Sequence, residues 1–408
     1  MNIGIFTDTY SPDINGVVTS IKQLENELIK NGHTVYIITS SSNKSLHKEG
    51  NVLRVPGVSV KKLYGYKVSG FYSWFAARAV KKLKLDVIHA QTEYGIGIFA
   101  RIIAAQHETP LVYTYHTMME DYTHYVTKVT RGRFEKQVKS FLVESSKLYA
   151  DRCTELIVPS YKTSDAMIRY GVKNKINVIP TGIDLSKFDS NLFKEKEIQE
   201  LRKEYGINEN DFLVVFIGRV AREKSVHEIL EAFNYIKGEK INNIKFLVVG
   251  DGPALNDLKE YTTNNKLEDY IKFVGSVDHT RVPIFYQCGN VFVSTSTSET
   301  QGLTFIEAMA SHLPVICKFD TNLEDFVLEG KTGYFIEDYK ELALKLIELS
   351  SMDTSEYQLI ADNAQEISKN YSSTIFYEKV MIVYESAIKN KRRESDKNTE
   401  NAKNRQFI

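Results

Sequence analysis

Short apolar runs alternate with amphipathic stretches of helical period along almost the whole of this 408-residue chain. No other feature constrains the fold as much. A strand buried on both faces reads as an unbroken apolar run, and its parallel neighbour is reached only through a crossover helix. The pattern therefore predicts α/β domains built on parallel sheets. Strands are expected at residues 3–6, 34–39, 87–89, 111–115, 155–158 and 177–179. Helices are expected at 17–30, near 71–84, at 95–106, about 133–149 and at 161–170, with Asn31-Gly32 closing the first as a left-handed cap. Pro180-Thr181-Gly182 and the polar stretch 189–209 break the pattern, which puts an interdomain linker there. A second set of strands follows at 212–217, 245–249, 271–274, 291–294 and 315–316. The expected division is a first domain over 1–184, a second over 185–371, a closing helix over 372–389 and a disordered polar tail over 390–408.

The N-terminus, MNIGIFTDTYSPD, has neither the basic nor the apolar region of an export signal. No apolar run approaches the roughly 18 residues of a membrane span. A cytoplasmic protein is expected. Cys153, Cys288 and Cys317 are too scattered for a disulfide framework or a clustered metal site. The formal net charge is zero, but it hides an asymmetry. Residues 1–180 hold 24 Lys+Arg against 15 Asp+Glu, a balance of +9, and the remainder holds 28 against 37, a balance of −9. A basic half fits either a differently solvated surface or an anionic partner.

Four segments carry candidate chemistry. The most informative is Ser298-Glu299-Thr300-Gln301-Gly302-Leu303-Thr304-Phe305-Ile306-Glu307, between a strand and a helix. Backbone N–H groups of Gly302, Leu303 and Thr304 at a helix start form an anion site suited to a diphosphate. Glu307, one turn in, suits ribose hydroxyls, and Glu299 suits sugar hydroxyls. Capping boxes at Ser298/Gln301 and Thr304/Glu307 account for the same residues without a ligand. The second segment, Gly218-Arg219-Val220-Ala221-Arg222-Glu223-Lys224-Ser225, favours the site. With Ser225 and Glu228 as a capping box, Arg219 and Lys224 lie ahead of a helix N-terminus. Cations there oppose the helix dipole unless an anion such as a pyrophosphate sits between them. The third is the first turn, from Thr7 to Val17, where Gly16 either admits a phosphate or merely turns the chain. The fourth is His116, at a strand end and hence at the carboxyl edge of the sheet.

Together these segments resemble the retaining family 4 glycosyltransferases of GT-B architecture, an α/β fold of two facing Rossmann-like domains whose C-terminal helix crosses back to the first. Glu299 and Glu307 reproduce the E-x7-E signature. Gly218-Arg219 with Glu223-Lys224, Gly250-Asp251-Gly252-Pro253, Asn15-Gly16-Val17 and His116 follow in the family's order and spacing, over about residues 1–390. Residues 6–17 and 116–125 are most similar to bacterial 1,2-diacylglycerol 3-glucosyltransferases. The resemblance implies that Arg219 and Lys224 bind and stabilise the leaving diphosphate, which Gly16 approaches from the first domain. It gives the ribose to Glu307, the base to Val277, and the sugar to Glu299, the 302–304 backbone and His116. It implies a nucleotide-sugar donor, UDP-glucose, no cofactor, and same-face transfer without a catalytic metal. No Asp-x-Asp triplet occurs in the chain. Asn15 stands where the family often has a second glycine, which stiffens that turn.

The same resemblance implies a lipid acceptor, 1,2-diacylglycerol, at the anionic inner face of the cell membrane, with the protein bound peripherally and no nucleic acid partner. Lys61, Lys62 and Lys67 precede Phe71, Tyr72, Trp74 and Phe75, and Arg78, Lys81, Lys82 and Lys84 follow. A second basic group, Lys128, Arg131, Arg133, Lys136 and Lys139, follows Tyr122 and Tyr125. Tyr10, Trp74, Lys81, Lys82 and Lys84 are the expected acceptor and membrane residues. A core stripe of Phe71, Phe75 and Ala79 under a solvated basic face is the competing structural reading. A soluble or cell-wall polysaccharide acceptor is the competing functional one. Gly95-Ile96-Gly97-Ile98-Phe99-Ala100 matches a dinucleotide fingerprint but does not follow the first strand. A non-enzymatic two-lobed sugar-binding protein would require an export signal.

Overall fold

A computed structural model describes residues 1–13, 15–41, 45–59, 67–69, 73–116, 135–296, 299 and 301–405. The chain divides into two compact units, residues 1–182 with 373–408, and residues 183–372.

In the first unit the strands are β1 (Asn2–Thr7), β2 (Thr34–Ser41), β3 (His47–Glu49), β4 (Val52–Ser59), β5 (Lys67–Ser69), β6 (Val87–Ala90), β7 (Leu111–Thr114), β8 (Glu155–Val158) and β9 (Ile176–Val178). They form one sheet in the order β3-β4-β2-β1-β6-β7-β8-β9, with β5 paired to β4. Only β3 and β5 run antiparallel to their neighbour. The helices are α1 (Gly16–Lys30), α2 (Trp74–Lys81), α3 (Gly95–His107), α4 (Glu135–Asp151) and α5 (Tyr161–Arg169). Both faces of the sheet are covered, as its unbroken apolar strands require. Ile3 and Ile5 pack with Ile21, Leu24 and Leu28, a stripe at helical spacing on α1. Phe6, Ile38 and Ile88 pack on the other face with Ile96, Phe99 and Ile103 of α3. Strands β3 to β5 were not expected from the sequence; β3 and β5 are three residues each, and Pro56-Gly57 interrupts the apolar run of β4.

In the second unit β10 (Phe212–Ile217), β11 (Ile244–Val249), β12 (Ile271–Gly275), β13 (Val291–Ser294), β14 (Val315–Lys318) and β15 (Gly333–Ile336) form a sheet in the order β12-β11-β10-β13-β14-β15. Every pairing is parallel. Counted from β10 outward this is the doubly wound Rossmann order, whose switch point lies between β10 and β13. Its helices are α6 (Glu195–Glu204), α7 (Val226–Gly238), α8 (Leu255–Asn264), α9 (Val282–Cys288), α10 (Leu303–Ala310), α11 (Tyr339–Ser350) and α12 (Thr354–Ser368). Val215, Ile217 and Phe292 pack under Phe305, Ile306 and Met309 of α10, while Phe216 and Val248 pack under α7 and α11.

Two expectations change. The stretch 189–209, expected as a linker, contains α6 and belongs to the second unit. Leu201 is buried there, and the buried Arg202 guanidinium donates to the carbonyls of Cys288, Asn208 and Asp211. Leu201, the partly buried Ile198 and the Arg202 guanidinium dock a helix whose remaining surface is polar. The expected disordered tail is helical to Arg405, as the end of α13 (Ser373–Arg405). This helix returns to the first unit, where Phe376, Val380, Val383 and Ala387 join the layer under α1. Asn390 and Ser386 donate to Glu155 at 3.0 and 2.7 Å, and helix-favouring Lys, Arg and Glu carry the turns beyond.

Candidate active site

The two charged segments of the second unit sit at the carboxyl ends of β10 and β13, on either side of the switch point. The loop after β10 is clamped by backbone. Val220 N–H donates to Asp251 O at 2.9 Å and Ala254 N–H to Val220 O at 3.1 Å. A Cβ on Gly250 would lie 1.9 Å from Gly218 O, and one on Gly252 would lie 2.2 Å from Val220 O. The Gly250-Asp251-Gly252 segment is therefore glycine so that two backbones can touch. A 3-10 turn, Arg222–Lys224, follows and ends at Ser225 with φ +49°.

The expected Ser225/Glu228 capping box does not form. Ser225 is in the left-handed region, and its carbonyl accepts from Thr295 Oγ1 at 2.8 Å, while Glu228 pairs with Lys318 Nζ at 2.7 Å. These bonds tie the loop after β10 to the elements around β13 and β14. In consequence Lys224 Nζ lies 2.6 Å from Glu299 Oε1, with the two side chains 26% and 9% exposed. Residues 75 positions apart in sequence, singled out on separate patterns, thus meet. Arg219 is exposed and pairs with Glu223.

Helix α10 starts on Gly302, at φ +72°. A Cβ there would stand 2.7 Å from Leu323 Cδ2 and 3.0 Å from Phe305 Cδ2, so conformation and space both demand glycine. The N-cap residue of α10, a glycine, has no side chain with which to cap it. The N–H groups of Leu303 and Thr304 belong to the first turn, which has no intrahelical acceptor. Nor do Thr304 and Glu307 form a capping box. The Glu307 carboxylate accepts from Tyr286 Oη at 2.9 Å, and burial pushes its pKa up to about 7. Ser298 and Thr300 lie outside the described residues. Val277 is half-buried just beyond β12, against the layer that holds α10. The sequence reading missed Tyr286 and Asn322. Asn322 Nδ2 donates to Glu299 O at 2.5 Å, and its own N–H is held by Asp320 Oδ1 at 2.9 Å. Nothing local to Tyr286 or Asn322 announces these roles.

In the first unit the Asp8 carboxylate fills the N-terminus of α3, accepting from Ile96 N–H at 2.9 Å and Thr92 Oγ1 at 2.6 Å. Burial raises its pKa to about 7. This is the Gly95–Ala100 dinucleotide match, and its phosphate seat is taken by the protein's own carboxylate. Asn15 caps α1 through Val18 N–H at 3.0 Å and donates to Thr9 Oγ1 at 2.9 Å. Gly16 has no left-handed backbone, and a Cβ there would meet nothing within 4 Å. Neither conformation nor packing inside the unit requires that glycine. His116 follows β7, half-buried, with Nε2 2.5 Å from Gln91 Oε1 and a pKa lowered by burial to about 4.

Tyr10, expected on the acceptor face, is instead buried in the layer under α1, where its hydroxyl donates to Glu25 at 2.5 Å. Its ring continues the apolar surface of Ile21 and Leu24. The competing core stripe also fails, because α2 buries Ala76, Ala77 and Val80, and Phe75 is 73% exposed. Trp74 is 61% exposed, edge-on to Phe75, with the Arg78 guanidinium 5.8 Å over its ring. Lys81, Lys82 and Lys84 are exposed beside them. Lys61, Lys62, Phe71 and Tyr72 lie outside the described residues, as do Tyr122, Tyr125, Lys128, Arg131 and Arg133.

Residues 197–367 match the family described as glycosyl transferases group 1, and residues 14–187 match glycosyltransferase family 4. With two Rossmann-like units, the chain belongs to the family 4 glycosyltransferases of GT-B architecture and is a hexosyltransferase. More particularly, it is 34% identical over 388 residues to the alpha-monoglucosyldiacylglycerol synthase of Acholeplasma laidlawii, across 94% of this chain and 96% of that protein. The synthase of that name from Streptococcus pneumoniae is 34% identical over 377 residues, 90% and 82% of the two chains. Among solved structures, Anabaena HepE in complex with UDP and glucose superposes with a TM-score of 0.73 at 18% identity, covering 95% of this chain and 100% of that one.

Proposed function

We propose that this hexosyltransferase moves glucose from UDP-glucose to 1,2-diacylglycerol, with retention and without a catalytic metal, at the anionic inner face of the cell membrane. The observation that carries the donor half is the Lys224–Glu299 contact beside the glycine start of α10. As the C1–O bond to the diphosphate breaks, negative charge grows on the leaving oxygens. Lys224, Arg219 and the first N–H groups of α10, from Gly302 through Leu303 and Thr304, supply a fixed positive field for it. Glu299 holds sugar hydroxyls and Val277 lines the base. A donor phosphate oxygen takes the acceptor proton as the new C1–O bond forms on the same face. In the first unit, the family resemblance assigns Gly16 to the phosphate and His116 to the sugar.

Glu307 is assigned to the ribose, and its pKa of about 7 gives that role a pH signature. Ribose hydroxyls donate to a carboxylate, so binding favours the ionised form. UDP affinity is expected to fall by up to about tenfold per pH unit below 7 and to level off above it. Glu307→Gln should flatten this dependence, as read by calorimetric titration. The folded-state pKa lies above the ordinary 4.5, so the carboxyl stabilises the fold most below that value, and the contribution is lost as pH rises through 7. Glu307→Gln should therefore raise the melting temperature at pH 8 and change it little at pH 5.

The lipid half rests on the exposed Trp74, Phe75, Arg78, Lys81, Lys82 and Lys84 group, in a chain similar to two monoglucosyldiacylglycerol synthases. Among the described residues no helix is long and apolar enough to cross a membrane. Exposed aromatics ringed by cations suit the headgroup boundary. Incubation with labelled UDP-glucose, diacylglycerol and anionic vesicles should put label into a chloroform-soluble monoglucosyl lipid. Label confined to a water-soluble glycan acceptor would overturn the lipid acceptor.

A further inference from the structure

Four polar side chains are buried together in the core of the first unit. His89 on β6, Gln91 just after it, Thr114 at the end of β7 and Tyr384 on α13 are all at most 6% exposed. His89 Nδ1 is 2.7 Å from Tyr384 Oη, and Nε2 is 2.6 Å from Thr114 Oγ1. The His89 and Tyr384 rings meet edge to face at 5.5 Å and 87°. Gln91 Nε2 stands 3.2 Å from both His89 ring nitrogens, and Gln91 Oε1 faces His116 Nε2 at 2.5 Å. Burial holds the pKa of His89 near 3 and that of His116 near 4, so both rings are neutral at pH 7.

We infer that Gln91, anchored by His89 and by Tyr384 of the C-terminal helix, is a positioning residue that sets the orientation and tautomer of His116. An amide oxygen only accepts, so His116 Nε2 must carry the hydrogen and Nδ1 keeps its lone pair. With Oε1 at His116, the Gln91 N–H₂ faces the His89 ring, whose bare nitrogen accepts from it, so both ends of the amide have partners. The hydroxyls of Thr114 and Tyr384 each donate or accept, so His89 is satisfied in either tautomer. Leaving either end of the Gln91 amide unpaired would be costly in this site, which is shut away from water. Tyr384 lies 295 residues from His89. The closing helix thus helps shape the ring that the first unit presents after β7.

This inference rests on the proposed contact of His116 with the transferred sugar only for its effect on rate. Its first test reads the unaltered protein, with one variant used only for assignment. Long-range ¹H–¹⁵N correlation of histidine-labelled protein, with His116→Ala identifying the signal, should show one neutral Nε2–H tautomer at pH 7. An Nδ1–H tautomer, or an even mixture, overturns the inference. Gln91→Ala should scramble the tautomer and lower kcat about tenfold, the equivalent of one hydrogen bond, at unchanged UDP affinity. Tyr384→Phe, which removes one hydroxyl, should shift the same signal partway at near-normal melting temperature. An unchanged His116 signal in Gln91→Ala also overturns it. A scrambled signal with full turnover would uphold the positioning and remove His116 from the sugar.

Discussion

Lys224→Ala is expected to lower turnover about a hundredfold or more while the fold stays intact. Removing one fixed donor from a developing oxyanion costs about 10²–10³ in rate in comparable sites. Lys224 is the last residue of the turn that follows the backbone-clamped loop, so the root of its side chain is fixed. It is also the observed partner of Glu299, so alanine leaves a nearly buried carboxylate without its counter-ion. Arg219→Ala should act in the same direction on the same leaving group. Steady-state glucosyl transfer and thermal melting, measured side by side, check this. Near-normal turnover in both variants would mean the leaving group sits elsewhere.

The second large effect is expected from reversing Lys81, Lys82 and Lys84 to Glu. Each cation near an anionic surface contributes about 1 kcal/mol. Neutralising three would weaken partition on the order of a hundredfold, and reversal adds repulsion. All three are exposed, so the fold should tolerate the change. Vesicle co-sedimentation should rise with the anionic lipid fraction and fall with salt, as screening over a Debye length of about 10 Å at 0.1 M demands. Trp74→Ala should weaken the remaining binding without altering its salt dependence. Equal binding to neutral and anionic vesicles would sink the docking idea and favour a soluble acceptor.

Much of this protein is legible in local pattern. Ile3 and Ile5 read as a buried parallel strand, and Ile21, Leu24 and Leu28 as one face of a helix, because periods of 2 and 3.6 are written in near neighbours. The segment from Glu299 to Glu307 could be singled out because a glycine, a helix start and two carboxylates fall within nine residues. Other features were hidden by local signals that pointed the wrong way. Pro56-Gly57 masked β4, the polarity of α6 suggested a linker, and the charged composition of 390–405 suggested a disordered tail. Ser225 and Glu228 matched a capping box that tertiary structure replaces with Thr295 and Lys318.

The sequence alone determined the α/β class, the strand and helix faces, and the residue types gathered at the strand ends. Only the tertiary structure decided which of them meet. Strand order at the switch point sets Lys224 against Glu299, and the return of α13 sets Tyr384 against His89. It likewise decided that Tyr10 is core and Phe75 is surface. Periodicity carries information over a few residues, whereas these contacts join positions separated by whole strands and helices. Their geometry follows from how sheets order and layers pack, which no neighbouring residue records.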